Sequence, residues 1–449
     1  MSKKFRAPKN KEDAVDRLKD ERVKSIRLLF VDPLGRLKGQ IVTMNEMGNV
    51  FERGQGFDGS SIEGFVRIEE SDKILKPVVR SMRILPYDPG NAKTAIFFCE
   101  IYNPDNSRFE GDSRLVLEKT LARANTMDFT SFYCGPEIEY FYFRGENGVP
   151  SPLDNEGYFS FTMTHEGDAA RQEVVDTLEE MGIHVEGHHH EVADSQHEID
   201  LRYLDALDMA DCILLYRMVV KELAASRNLW ACFMPKPIAG INGSGMHTHQ
   251  SLFRGEENAF FDSSNPDNLS EIARYYLGGV LKYLPEYQLL LCQWINSYRR
   301  LIPGFEAPVY LTWGKRNRSA LVRVPQYQVG HPKATRLEIR CPDPGCNPYL
   351  AFAAMLDMGL QGITEKIPTP EATEENVYHM SEEERAKRGI HSLYGSLQDS
   401  LDALESSNRA TRLLGPHLTH RLIASKINEL ARFGQEVHPW EIKEYSRYL

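Results

Sequence analysis

The chain has 449 residues, with 53 Lys and Arg against 64 Asp and Glu, for a formal net charge of −11. That balance argues against a general nucleic-acid or membrane-surface binder, and the length allows about two to four domains. No apolar run approaches the ~18 residues needed to cross a bilayer, and the basic N-terminus has no apolar core behind it, so a cytoplasmic protein without nucleic-acid or membrane partners is expected.

In chain order, residues 11–22 have the spacing of a short amphipathic helix. Val23–Val31 and Arg36–Met44 read as two strands around the turn sequence Asp-Pro-Leu-Gly. A glycine-rich loop, Gly54-Gln-Gly-Phe-Asp58-Gly-Ser-Ser61, comes next, and strand-like segments run on to Tyr102. The loop-like stretch from Asn103 to Ser113 marks a boundary between a first domain, 1–112, and a second, 113–449. In the second, Ala170, Val174, Leu178 and Met181 have helical spacing, and residues 205–228, 268–292 and 350–365 read as longer helices. Strand-like pieces at 131–144, 184–204, 245–253 and 334–341 hold nearly all the chemically interesting residues. Residues 366–389 read as an exposed charged loop, and 396–449 as helical. The pattern predicts an α+β protein with a mostly antiparallel catalytic sheet. Seven cysteines lie at scattered positions without zinc spacing, and reduced structural thiols are expected.

Four constellations carry chemistry. In Gly-Pro-Glu137-Ile-Glu139 the two glutamates share one strand face. They read either as a solvated face or as one side of a divalent-metal site, hard oxygens favouring magnesium or manganese. The run His188-His-His-Glu191…Gln-His-Glu198 adds two acids that could converge on that pair. Its histidines alternate between faces, so they cannot all bind one ion, and packing or hydrogen bonding suits most of them. In Asn242-Gly243-Ser-Gly-Met-His247-Thr-His249-Gln-Ser251 the glycines allow close approach of a ligand, and His247, His249 and Ser251 share a face. Finally Lys315, Arg316, Arg318, Arg323, Lys333, Arg336 and Arg340 crowd an otherwise acidic chain, with Glu338 between two arginines. Guanidinium forks match phosphate oxygens, and no glycine-rich kinase or Walker loop is present. Carboxylates for two or three divalent ions beside arginines for polyphosphate point to phosphoryl transfer from a nucleotide.

These motifs, in this order, resemble type I glutamine synthetase, in its shorter, non-adenylylated subgroup. Phe-Asp58-Gly-Ser-Ser61-Ile-Glu-Gly-Phe, Arg300-Leu-Ile-Pro-Gly-Phe-Glu306-Ala-Pro, Arg316-Asn-Arg318-Ser-Ala and Arg336-Leu-Glu338-Ile-Arg340 complete the set, which spans nearly the whole chain. The resemblance implies a small β-grasp-like N-terminal domain and a large catalytic domain whose curved, mostly antiparallel sheet is flanked by helices. It implies that ATP phosphorylates the γ-carboxylate of L-glutamate and that ammonia displaces phosphate to give glutamine. Carried over, Glu139, Glu191 and Glu198 would hold one Mg2+ or Mn2+ ion, and Glu137, His247 and Glu338 another. Arg318 and Arg340 would serve the reacting phosphoryl group. Glutamate would be held by Asn242, Gly243, Arg300, Glu306, Arg318 and Arg340. ATP would meet Glu186, Tyr203, His249, Ser251, Arg318, Arg323, Lys333 and Arg336. Ammonium would meet Asp58, Ser61, Tyr158, Glu191 and Glu306, with Asp58 as the base and Glu306 on a closing flap. Arg67 is a candidate contact for feedback by glutamine. The implied assembly is a dodecamer of two six-membered rings, Asp58 reaching the site of a neighbouring subunit.

Ser195 stands where the family usually has Gly, Ser160 where it commonly has Asp, and Gly345-Cys346 replaces a common Ala-Ala; these bear on loop geometry rather than on ligands. Tyr378 aligns with a region adenylylated in longer relatives, but its surroundings match that site poorly. A ligase for a larger amine would need a less anionic pocket than Asp58, Tyr158 and Glu306 provide. A non-catalytic regulatory or assembly homologue would show broken metal ligands, and a guanidino-phosphate kinase on the same architecture would lack the pattern around Arg300 and Asn242.

Overall fold

The computed structural model describes residues 6–60, 62, 71–87, 92–145, 151–161, 165–305, 307–317, 319–326 and 329–449. Ser61, Arg67, Glu306 and Arg318 lie outside the described residues. The chain opens on helix α1 (Lys11–Asp20), whose N-terminus is capped by the Asn10 side chain accepting from the Asp13 N–H, and whose Ala14 and Leu18, four residues apart, are buried. Then come β1 (Ser25–Val31), β2 (Leu37–Thr43), α2 (Met47–Arg53), β3 (Gln55–Asp58), β4 (Asp72–Pro77), β5 (Arg83–Ile84) and β6 (Thr94–Tyr102). The β1–β2 turn is closed by Asp32, whose Oδ1 accepts from the N–H of Leu34 and of Arg36, both at 3.0 Å. The sheet order is β2-β1-β6-β4-β3, with β1 and β6 parallel and β5 paired to β6. Its core is Ile26, Leu28, Phe30, Phe97 and Ile101 against α1 and α2.

Asp112 caps α3 (Ser113–Thr126), its side chain accepting from the Arg114 N–H. There follow β7 (Ser131–Arg144), β8 (Ser151–Pro152), α4 (Glu166–Glu180), β9 (Val185–His190), β10 (Gln196–Leu201), β11 (Leu204–Asp205), α5 (Ala206–Ser226), β12 (Trp230–Cys232), β13 (Met246–Arg254) and β14 (Glu257–Asn258). The remainder is α6 (Glu271–Leu291), α7 (Ser297–Arg300), β15 (Tyr310–Gly314), β16 (Ala320–Arg323), β17 (Leu337–Ile339), α8 (Pro348–Glu365), α9 (Glu382–Lys387), α10 (Leu397–Ser406), α11 (Asn408–Phe433) and α12 (Pro439–Tyr445). Among the described residues these strands form one 11-stranded sheet, ordered β15-β16-β17-β13-β7-β10-β9, antiparallel except for β15 with β16.

The long β7 organises the sheet, because its two faces have different chemistry. Phe132, Cys134, Ile138, Tyr140 and Tyr142 point into the main core with α5. Glu137 and Glu139 point the other way, followed on that face by Phe141 and Phe143 in a small separate cluster with Ala193 and Cys232. Behind the sheet α6 and α8 cross at close range. A Cβ on Gly279 would come within 2.3 Å of the Met358 carbonyl oxygen, and one on Gly362 within 2.1 Å of that of Tyr275, so only glycine permits the crossing. All seven cysteines are buried and free.

Two expectations need correction. The segment 184–204 is three strands rather than one, because the chain turns out of β9 after His190 and re-enters β10 at Gln196. Residues 366–389 are not all exposed loop. Thr373 and Val377 are buried, and Ser381, accepting from the Glu384 N–H, starts the short helix α9 there.

Candidate active site

The register of the sheet assembles the site. Across β7 and β10, Glu139 faces Glu198 and Glu137 faces Asp200. On the other side of β7, His247 of β13 faces Glu137, and His249 pairs in turn with Glu338 of β17. Four strands thus bring their acids and imidazoles to one face. The cavity above them, about 300 Å³, is lined by all six predicted metal ligands, Glu137, Glu139, Glu191, Glu198, His247 and Glu338. Tyr158, Asn242, Gly243, Arg300, Arg323 and Arg340 line it as well.

Each donor is held by a specific partner. Glu139 Oε2 accepts from Gln196 Nε2 at 2.8 Å and from the Gly245 N–H at 2.9 Å. His249 Nε2 lies 2.7 Å from Glu137 Oε1, and His247 Nδ1 lies 3.4 Å from Glu137 Oε2 and 3.7 Å from Glu338 Oε1. Glu338 is buried and pairs with Arg323 and, at 3.2 Å, with Arg340 Nε. Buried Arg300 donates to the carbonyls of Arg340, Cys341 and Pro342. Gly245 makes room for it: a Cβ there would lie 2.5 Å from Arg300 Nη2 and 3.1 Å from His247 Nε2. Replacing Gly245 with Ala must break guanidinium–carbonyl bonds to clear that contact. The expected result is a destabilisation of about 1–3 kcal/mol with the fold retained, measured by thermal and denaturant unfolding.

The electrostatics fit a cation. Burial, and then the charge of Glu139, push Glu191 up to about 7. Burial and the same neighbour hold Glu198 well above the usual carboxylate range, and burial raises Glu139 and Asp200. Burial also favours a protonated Glu137, but hydrogen bonds from His247 and His249 outweigh it and hold its carboxyl low. The His247 imidazole is pushed down by burial and by Arg340. Oδ1 of Asp200 is buried without a hydrogen-bond partner. Two sets of donor atoms, from Glu137, His249 and Glu338 and from His189, Glu191 and Glu198, each lie within 4.8 Å of one another. Crowded oxygens with one or two imidazoles suit hard divalent ions.

A pH dependence follows. Between its ordinary value and about 7, Glu191 keeps its proton in the fold and loses it on unfolding. Its contribution therefore lowers stability as pH rises through that window, and bound cation, which displaces the proton, removes the loss. The melting temperature of the metal-free protein is expected to fall between pH 5 and 8, and the fall to shrink with Mg2+ or Mn2+. Calorimetry in two buffers should register proton release on metal binding.

The family described as "Glutamine synthetase, catalytic domain" matches residues 110–445, and "Glutamine synthetase, beta-Grasp domain" matches residues 22–104. The chain belongs to the glutamine synthetase family. It is 43% identical to the glutamine synthetase of Methanosarcina mazei over 98% of both chains. It is 45% identical to that of Thermotoga maritima over 95% of this chain and 97% of the relative. A solved GmaS–ADP complex superposes with a TM-score of 0.88 at 26% identity, over 97% of this chain and 99% of the other. The Plasmodium falciparum glutamine synthetase superposes with a TM-score of 0.87 at 24% identity, over 99% and 100% respectively, a likeness of fold. The β-grasp and catalytic units expected of a glutamine synthetase are therefore the six-stranded and 11-stranded sheets.

Other residues expected to function in a glutamine synthetase do not line that cavity. Ser251 faces Tyr133 across β13 and β7, and Tyr203 packs edge-on against the Tyr133 ring at 5.5 Å. Arg336 Nε donates to His249 Nδ1 at 3.1 Å, and Lys333 pairs with Glu256 at 2.6 Å. Glu186 is exposed on β9. Asp58 is exposed at the end of β3, accepts from the N–H and hydroxyl of Ser60, and does not line the cavity. Five residues that do line it were not among the expected site residues: His189, Val192, Gln196, Asp200 and Phe305. Asp200 was legible, since it lies two residues beyond Glu198 on the same strand face. His189 Nε2 sits 3.5 Å from Glu198 Oε1, so of the three consecutive histidines it is the one that faces the acids.

Proposed function

We propose that this chain joins ammonia to the γ-carboxylate of L-glutamate with ATP as phosphoryl donor, giving L-glutamine, ADP and phosphate. The observation that carries the reading is the single cavity in which Glu137, Glu139, Glu191, Glu198, His247 and Glu338 stand beside Arg300, Arg323 and Arg340. Glutamate is held with its α-carboxylate toward Arg300 and its backbone beside Asn242 and Gly243. Arg340, Arg323 and Arg318 face the phosphates, and His249, Ser251, Tyr203, Glu186, Lys333 and Arg336 hold the rest of ATP. The γ-carboxylate oxygen attacks the terminal phosphorus as the bond to ADP breaks, giving γ-glutamyl phosphate. Asp58, with Ser61, Tyr158, Glu191 and Glu306, holds ammonium and takes its proton. Ammonia then attacks the acyl carbon and phosphate leaves. Glu306 closes the site against water. The six ligands would hold Mg2+ or Mn2+, two or three per site, which would supply charge neutralisation of the phosphoryl group.

The division between domains is placed at residue 112, with 1–112 as the β-grasp unit and 113–449 as the catalytic unit. The enzyme is placed in the cytoplasm as a dodecamer of two hexameric rings. Two features support assembly: Asp58 is exposed on a domain that does not line its own cavity, and α12 leaves Trp440, Ile442 and Tyr445 exposed. The test is phosphate release with glutamate, ATP and a divalent cation, with ammonium or methylamine as acceptor and particle size measured on the same sample. Dependence on ammonium is expected; a strong preference for methylamine, or no acceptor dependence, overturns the assignment.

A further inference from the structure

Tyr158 reaches the cavity from a loop, residues 153–161, that is exposed along much of its length. What fixes it there is a hydrogen-bond network centred on the turn between β9 and β10. Ser195 sits in that turn at φ +63°, in the left-handed region that favours glycine, a position costing a side-chain-bearing residue roughly 1 kcal/mol. The serine carries compensating bonds. Its Oγ accepts from the N–H of Leu153 and, at 3.0 Å, from that of Asp154. Its own N–H donates to Asp154 Oδ1 at 2.8 Å. Its carbonyl accepts from the Tyr142 N–H of the central strand at 3.0 Å. Ser195 therefore ties the start of the loop to the sheet that carries Glu137 and Glu139.

The far end of the loop is tied to the same turn. His190 Nε2 donates to Asp154 Oδ1 at 3.0 Å, and the His190 carbonyl accepts from the Phe159 N–H at 3.1 Å. Phe159 is likewise left-handed, at φ +58°, which swings its ring and that of Tyr158 against His189, with ring centroids 4.6 and 5.5 Å away. His189 is the imidazole that faces Glu198. Asp154, His190 and His197 have the composition of a metal trio, but Arg171 excludes it. Arg171 donates to Nδ1 of His197 at 2.5 Å and of His188 at 3.0 Å, which leaves the proton of His197 on Nε2 and places a cation beside the trio. The group is a structural network.

We propose that Ser195 and Asp154 are positioning residues that latch the Tyr158 loop over the acceptor side of the cavity, and so set the affinity for the nitrogen nucleophile. This rests on the reading that Tyr158 meets ammonium. The latch is expected to act on one substrate because the bonds of Ser195 and Asp154 run to the Tyr158 loop and to His190 of the same turn.

The test uses the full-length enzyme and the variants Ser195→Gly, Ser195→Ala, Asp154→Ala and Asp154→Asn. Ser195→Gly and Ser195→Ala are expected to raise the KM for ammonium alike, by about tenfold, with the KM values for ATP and glutamate within about twofold of wild type. Their melting temperatures should differ, glycine being the more stable at φ +63°. A merely structural serine predicts that activity follows melting temperature instead. Asp154→Ala should reproduce the ammonium effect, while Asp154→Asn, which keeps an acceptor for the Ser195 N–H, should largely restore it. Ser195→Gly added to Tyr158→Phe should leave KM for ammonium where Tyr158→Phe alone puts it. An unchanged KM for ammonium in Ser195→Gly and Asp154→Ala overturns the latch, and so does full additivity with Tyr158→Phe. Wild-type enzyme that makes no glutamine from ammonium removes the reading beneath it, a result distinguishable from both.

Discussion

Replacing Glu338 with alanine is expected to lower glutamine formation by at least ~10³-fold, about 4 kcal/mol of barrier. Glu338 is 1% exposed and has three kinds of neighbour: Arg323 on one oxygen, and Arg340 and His247 on the other. In the proposed reaction it would both complete a cation site and anchor two guanidinium groups, Arg323 and Arg340, toward the phosphates. Alanine leaves both arginines without their shared buried acid, and the donor set of Glu137, His249 and Glu338 loses its most deeply enclosed oxygen donor. Calorimetry should show one divalent cation fewer per subunit, while the Glu139, Glu191 and Glu198 side retains its own. Glu338→Gln separates the two roles, since it keeps volume and one oxygen but not the charge; it should retain more stability than alanine without recovering turnover. Near-wild-type rates together with unchanged cation stoichiometry in Glu338→Ala would remove Glu338 from the metal site.

Asp58→Ala is expected to lower ammonium-dependent turnover by about 10²-fold, the usual scale for loss of a proton acceptor, with ATP affinity nearly unchanged. Asp58 is exposed, and Ser60 hydrogen bonds hold its carboxyl below the usual range, first through the hydroxyl and then through the backbone. It is therefore charged at neutral pH. The decisive experiment mixes two inactive proteins. If Asp58 completes a neighbour's site, co-assembled Asp58→Ala and Glu338→Ala subunits should regain about a quarter of the wild-type sites, because a head-to-tail ring pairs intact halves at random. Separately assembled samples, combined without exchange, should stay inactive. No recovery after verified co-assembly would place Asp58 within its own subunit or outside catalysis.

Period-2 alternation made the acid pairs legible before any coordinates. Glu137 and Glu139 had to share a face, and so did Glu198 and Asp200, although only the first of the latter was singled out. What alternation cannot supply is register. That Glu139 faces Glu198, and His247 faces Glu137, depends on pairing between strands separated by some 60 to 110 positions. His189 was passed over because three consecutive histidines look alike in sequence, and only the strand's orientation tells which one meets Glu198. Helix α9 was hidden by its charge: Glu382-Glu-Glu with Arg385 and Lys387 lacks an apolar stripe, and its start depends on the Ser381 cap. Ser195 was legible as a departure from the family's usual glycine that bears on loop geometry, but not the bonds its hydroxyl makes to Leu153 and Asp154, some 40 positions away.

The buried thiols give this chain reporters that need no engineering. Alkylation requires a thiolate, and burial holds Cys99, Cys134, Cys212, Cys232, Cys292 and Cys346 in the protonated form. An alkylating reagent then modifies them only when their surroundings open, so the rate of labelling measures opening rather than surface reactivity. Cys99 lies in the six-stranded sheet and the other five in the catalytic unit. Mass spectrometry of a single labelling time course on the native enzyme, with and without ATP, would show whether the two halves open together or one yields first.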